Sequence, residues 1–231
     1  GPKKALTAAP KGYEAYYISH YGRHGSRYLI GTNDYDKPYN MLLKADSLGK
    51  LTAKGKDVLA KVKLIREEAQ LRDGELTLLG AQQHRGIAKR MYERFPEVFK
   101  GKTAIDARST IVIRCILSME NELQQLASMN PQLEIAHDAS VHDMWYLNDS
   151  HSPYNRLRDT KEASKANSEF SKRHDNWGHL MTVLFSDPEY VKTINAGSLA
   201  RHLFKLTSNV QSTELRHQLS LWDIFTEDEI Y

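Results

Sequence analysis

Apolar and polar positions along the chain fall into two rhythms. Three short runs read as buried strands, each followed by turn or helix-start residues: "EAYYISH" at 14–20, "TAIDA" at 103–107 and "LEIAH" at 133–137. Between them the apolar spacing lengthens to three and four. Val58, Leu59, Val62, Ile65 and Ala69 share one face of a predicted helix, as do Ile87, Met91, Tyr92 and Phe95 in "QQHRGIAKRMYERFP", which Pro96 terminates. A third helix is predicted over 110–128, with Val112, Cys115, Met119, Leu123 and Leu126 on its apolar face and Ser109 or Thr110 placed to cap it. Strand alternating with helix predicts the α/β class, a parallel sheet flanked by helices.

After about residue 140 the texture becomes polar and helix-prone, with Trp145, Trp177 and Trp222 but no convincing strand. This sets an expected boundary between an α/β core at 1–139 and a mainly helical cap region at 140–231. The chain ends in "LSLWDIFTEDEIY", straight after a helix-like stretch. Three strands alone would leave a long unpaired edge, so the expectation is an incomplete sheet belonging to a longer protein.

Composition narrows the classes. With 231 residues, 40% of them hydrophobic, the chain can bury a real core. Its mean hydropathy of −0.58 and short apolar runs leave no stretch able to span a bilayer as a helix. "GPKKALTAAPKG" at the start lacks the apolar segment of a signal peptide. A single cysteine, Cys115, excludes an internal disulfide and a multi-thiolate metal site. The 32 basic and 29 acidic residues make a mixed surface rather than a nucleic-acid footprint.

The first predicted strand runs directly into Gly22, Arg23, His24, Gly25 and Arg27. In an α/β sheet, ligands collect where strands end and helices begin. Two guanidiniums around one imidazole suit a phosphoryl group, because arginine offers a permanently charged planar fork and a neutral imidazole nitrogen can attack phosphorus. The glycines allow close backbone approach. Arg114, about one turn into the third helix, can reach back over a helix end that already favours anions. Taken alone, Arg114 is read as readily as half of a surface ion pair. "FKGKT" at 99–103 imitates the end of a nucleotide-binding loop, but Pro96 holds the place of its first glycine.

"RHGSR" at 23–27 resembles the RHGxR signature of the histidine phosphatase superfamily, and "STIVIRCILS" at 109–118 is similar to the T-x-x-x-R-x-x-x-S segment of its histidine acid phosphatase branch. "GAQQHRGIAKRMYERFP" is similar to that branch's glycine-led helix, and "RHGSRY" lies nearest to multiple inositol polyphosphate phosphatases. The resemblance covers residues 14 to about 145. It implies His24 as a nucleophile that becomes a phosphohistidine, Arg23, Arg27 and Arg114 as the phosphate clamp, no cofactor and no metal, and inositol phosphates as substrates. It also implies a periplasmic or secreted location. Leu29 departs from the pattern, where proline is usual.

An alkoxide leaving group also needs a proton donor, which contributes about 10²- to 10⁴-fold. The resembled branch carries it in a His-Asp or His-Ala-Glu motif after the helical cap. Three His-Asp pairs occur here. His137-Asp138, at the end of a predicted strand, is the nearest candidate by sequence although it precedes the cap; His142-Asp143 and His174-Asp175 read as turn and solvated helix pairs. Lys161, Lys165, Lys172, Arg173, Arg201 and Lys205 could meet a polyphosphorylated substrate, but read first as a solvated face. Without a donor, the alternative expectation is a non-catalytic phosphate-binding fragment.

Overall fold

A computed structural model of the chain describes residues 7–148, 154 and 160–230. Three helices come first: α1 (Thr32–Ser47), α2 (Ala53–Glu68) and α3 (Leu78–Arg94). Threonine starts the second and third. Thr52 Oγ1 accepts from Gly55 N at 2.9 Å and Thr77 Oγ1 from Gly80 N at 3.1 Å, each satisfying one of the unpaired amides at a helix start.

Next come β1 (Ala104–Ser109), α4 (Ile113–Met129) and β2 (Glu134–Ala139). The strands pair in parallel, in register from Ala104 opposite Glu134 to Ser109 opposite Ala139. Parallel strands need a crossover of this length, and α4 supplies it. Among the described residues that follow, the elements are helices: α5 (Met144–Leu147), α6 (Lys161–His174), α7 (Gly178–Leu184), α8 (Pro188–Lys192), α9 (Ala196–Val210) and α10 (Glu227–Ile230). The class is α/β, with parallel strands, flanking helices and a helical region after them.

The second and third predicted strands form; the first does not. Residues 14–20 form no regular secondary structure and have no ladder partner among the described residues, and Tyr16 is 92% exposed. A strand is stable only when a neighbour meets its amides and carbonyls, and β1 pairs with β2 alone. The cap of α4 also differs. Ser109 stays in β1, its hydroxyl donating to Thr110 O, and Val112 takes the N-cap position without a side-chain bond. On α3 the buried positions are Gly80, His84 and Ala88, and Met91 and Tyr92 are only partly covered. Small residues there permit a close approach that an apolar pattern does not reveal.

Two cores result. The larger packs Leu42 of α1 and Val58 and Val62 of α2 against Leu180, Leu184, Leu199 and Leu203, all fully buried. Each such leucine is worth about 1.5–3 kcal/mol of transfer free energy. Hydrophobic packing therefore crosses position 140, where texture set the boundary between 1–139 and 140–231. The smaller core joins Ala88, Phe99 and Leu126, with Ile18 and Ile105 at its margin and Tyr92 stacked on Phe99 at 5.3 Å.

Candidate functional site

Residues 23–29 are held as a loop laid along the entrance to α3. Tyr28 N donates to Glu75 O at 3.0 Å, Gly74 N to Leu29 O at 2.8 Å and Thr77 N to Ser26 O at 2.9 Å. Three side chains hold further amides of the loop: Gly25 N donates to Ser118 Oγ at 3.1 Å, Ser26 N to Gln83 Oε1 at 2.9 Å and Leu29 N to the Tyr35 hydroxyl at 2.7 Å. Ser118 passes its own hydrogen to Arg114 O at 2.8 Å, so one hydroxyl ties the loop to the first turns of α4.

This packing puts His24 in a defined state. Its Nδ1 lies 2.8 Å from Gly25 O. A carbonyl can only accept, so Nδ1 carries the hydrogen and the neutral ring keeps its lone pair on Nε2. Burial pushes the imidazole below the ordinary histidine range, and the charges of Arg114, Arg23 and Arg27 push it the same way, against the opposing pull of the Gly25 carbonyl. His24 is thus biased toward the neutral form in which Nε2 is a nucleophile.

The three arginines act on one another as well. Arg27 is lowered from its ordinary value by burial first, then by the charges of Arg114 and Arg23. Its Nη1 donates to Tyr28 O at 2.7 Å, and its carbonyl is held by Asn209 Nδ2 at 3.0 Å. Arg114 Nη1 donates to Gly74 O at 3.3 Å, while its Nε and the hydroxyl of Thr110 are buried without a partner among the described residues. Among the described residues Arg114 is not half of a surface ion pair. None of the three arginines forms an ion pair with a carboxylate among the described residues, and cations so gathered form a site whose repulsion an anion would relieve.

His24, Arg23 and Arg114 line a cavity of about 1440 Å³ that also touches residues 16–18 and 20–22, β1, β2 and α4. Arg27 is not among the lining residues, although its charge acts on His24. The structure does not bring His137 or Asp138 to it. On β2 the lining ends at Ala136; His137 Nδ1 meets Glu120 Oε1 at 2.6 Å and Asp138 meets Arg108 Nη1 at 3.4 Å, on the outer surface. His142 pairs with its neighbour Asp143 at 3.2 Å, and Asp175 binds Arg201 at 3.3 Å. Of the cap cations, Lys205 reaches Asp34 at 3.0 Å and Lys165 pairs with Glu169 at 3.9 Å, as a solvated face does.

Sequence reading missed five contributors. Ser118 is the serine of the "STIVIRCILS" segment, and Gly80, Gln83 and His84 lie in the glycine-led helix, so the signal was in stretches already singled out. Glu122 carries none. His84 and Glu122 meet at 2.6 Å behind the loop.

Solved structures now give the arrangement a relative. The Bifidobacterium longum multiple inositol polyphosphate phosphatase in complex with inositol hexasulfate superposes with a TM-score of 0.62 over 98% of this chain, at 17% identity. The phytase from D. castellii superposes at 0.60 over 90% of it, at 14% identity. The fold is histidine acid phosphatase-like. It is a partial one, because the chain spans 60% of the Bifidobacterium enzyme and 46% of the D. castellii phytase. No protein-family model matches the chain, and no curated protein matches it by sequence. Among the described residues no helix is long and apolar enough to cross a membrane.

Proposed function

We propose that this chain carries the phosphoryl-capturing half of a phosphomonoester hydrolase, with His24 as nucleophile, Arg23 and Arg114 as the phosphate clamp, and Arg27 adding its charge from off the cavity wall. One observation carries the reading: the Nδ1–H of His24 is committed to Gly25 O, which leaves Nε2 as the free lone pair in a field of three arginine charges. The phosphoryl group accumulates negative charge on its equatorial oxygens during transfer, and fixed cations aimed at those oxygens are the largest single catalytic term available without a metal. Attack by Nε2 forms an N–P bond as the bond to the leaving oxygen breaks; water then displaces the histidine.

The substrate class follows from the neighbours and from the room available. The Bifidobacterium structure holds inositol hexasulfate, an analogue whose sulfates stand in for phosphates. A cavity of about 1440 Å³ admits a polyphosphorylated polyol, so inositol polyphosphates such as phytate are the proposed substrates and a periplasmic or secreted setting the proposed location. Trapping acid-labile phosphate on the chain after mixing with an aryl phosphate tests the mechanism, and His24→Ala abolishes the trapped label if it is right.

A second reading rests on the partial coverage of the neighbours. A phosphate-binding unit that lacks turnover would bind inorganic phosphate with the same arginines yet trap no label.

A further inference from the structure

Four buried side-chain polar atoms have no hydrogen-bond partner among the described residues: Glu68 Oε2, Thr110 Oγ1, Arg114 Nε and Trp177 Nε1. Two of the four, on Thr110 and Arg114, belong to residues that line the cavity beside His24. Buried polar atoms are bonded in the great majority, because an unmet one has given up water without replacing it. The other serine and threonine hydroxyls on this wall are all spent. Thr103 donates to Val98 O at 3.0 Å, Ser109 to Thr110 O at 2.9 Å and Ser118 to Arg114 O at 2.8 Å. Thr110 is the exception, although the residue is only 9% exposed.

Helix capping does not use that hydroxyl either. A threonine ahead of a helix commonly caps it, but Thr110 stands two residues before Val112, which holds the N-cap of α4 with no side-chain bond. The start of α4 therefore keeps amides that no side-chain cap meets, and such a helix start favours anions. Arg114 Nη1 is held by Gly74 O at 3.3 Å, which fixes the guanidinium while its Nε–H stays unpaired. The hydroxyl, the Nε–H and the helix-start amides can all donate. An ionised phosphoryl oxygen can only accept, so one such group would satisfy donors of every kind gathered here.

We infer that Thr110 is a further phosphate-binding residue: its hydroxyl donates to an oxygen of the phosphoryl group that Arg23 and Arg114 hold for His24, and Arg114 Nε–H meets the same group; this rests on the reading of His24 and the arginines as a phosphoryl site. The hydroxyl is left unbonded within the fold, and the ligand supplies its partner. No internal bond then has to break before phosphate binds, so the new bond counts fully toward affinity. The arrangement trades stability for affinity. In the free chain the buried hydroxyl is destabilising, and with phosphate bound it is stabilising.

Opposite changes in affinity and stability test this. Thr110→Val replaces the hydroxyl with a methyl of the same shape, and Thr110→Ser keeps the hydroxyl. Inorganic phosphate is titrated calorimetrically into this chain and both variants, and each protein is melted without phosphate. Thr110→Val weakens phosphate binding by about 10- to 100-fold, the range for a hydrogen bond to a charged group, while its melting temperature stays level or rises. Thr110→Ser binds phosphate as the parent does. Parent-like binding by Thr110→Val overturns the inference. So does a lower melting temperature for Thr110→Val, because the hydroxyl then has a partner within the fold. Equal weakening in Thr110→Ser overturns it too, since the shape of the side chain and not its hydroxyl would then matter. A parent chain that binds no phosphate overturns the reading of His24 and the arginines, and this inference with it.

Discussion

Gly25 and Gly80 meet backbone to backbone: a Cβ at Gly25 would lie 2.5 Å from Gly80 O, and one at Gly80 would lie 2.3 Å from Ser26 O. The loop carrying His24 is thus pressed directly on the first turn of α3, with no side chain between them. Both obstacles are main-chain atoms, which cannot rotate away as a flexible side chain can.

Gly25→Ala and Gly80→Ala therefore displace the loop rather than merely crowd it. The expected result is loss of phosphoenzyme formation by at least about tenfold, since small misplacements of reacting groups carry large rate penalties. Gly101→Ala, at a position where a Cβ meets nothing within 4 Å but φ is +66°, is the control. It costs about 1 kcal/mol of stability and leaves phosphoenzyme formation intact, read by thermal melting beside the trapping assay.

Ser118 both receives Gly25 N and donates to Arg114 O. Ser118→Ala leaves a part-buried amide unpaired, at a cost of about 1–3 kcal/mol, and frees the loop from α4. Denaturant unfolding measures the first effect. Isothermal titration with inorganic phosphate measures the second, as weaker binding.

The pH dependence has a definite sign. Burial and the arginine charges hold His24 below the ordinary histidine range, so the neutral nucleophile persists into acid and kcat/KM keeps its value to lower pH than an unperturbed imidazole would allow. Arg114→Gln removes one of the charges but not the burial. The acidic limb of the profile then moves to higher pH, partway toward the ordinary value, along with weaker phosphate binding. For stability, the unfolded chain takes up a proton that folded His24 declines, so this group's contribution is present above the unfolded pKa and is lost as pH falls toward the folded one.

Leu71 is a non-glycine residue at φ +61°, in the turn after α2, and its side chain is 91% exposed. Left-handed backbone costs a branched side chain about 1 kcal/mol, and asparagine pays less of it. Leu71→Asn should raise the melting temperature without touching the site, whose trapping signal stays as in the parent.

The sequence by itself determined the class of the fold and singled out the loop on which the candidate site is built. Periods of two and of three to four were enough to locate β1, β2 and the helices α2, α3 and α4, because those periods follow from backbone geometry alone. "RHGSR" and the arginine in "STIVIRCILS" were legible because few residue types suit a phosphoryl group. Only the tertiary structure decided the rest. Whether 14–20 is a strand depends on a neighbour to pair with, and β1 gives its paired edge to β2. His137 and Asp138 fall outside the cavity, their exposed side chains engaged by Glu120 and Arg108. Glu122 becomes part of the site only when α3 and α4 pack and bring His84 and His20 to one carboxylate. A lone acidic residue on a helix carries no sequence signal of its own, since its role is set by which side chains the fold puts within 3.5 Å of it.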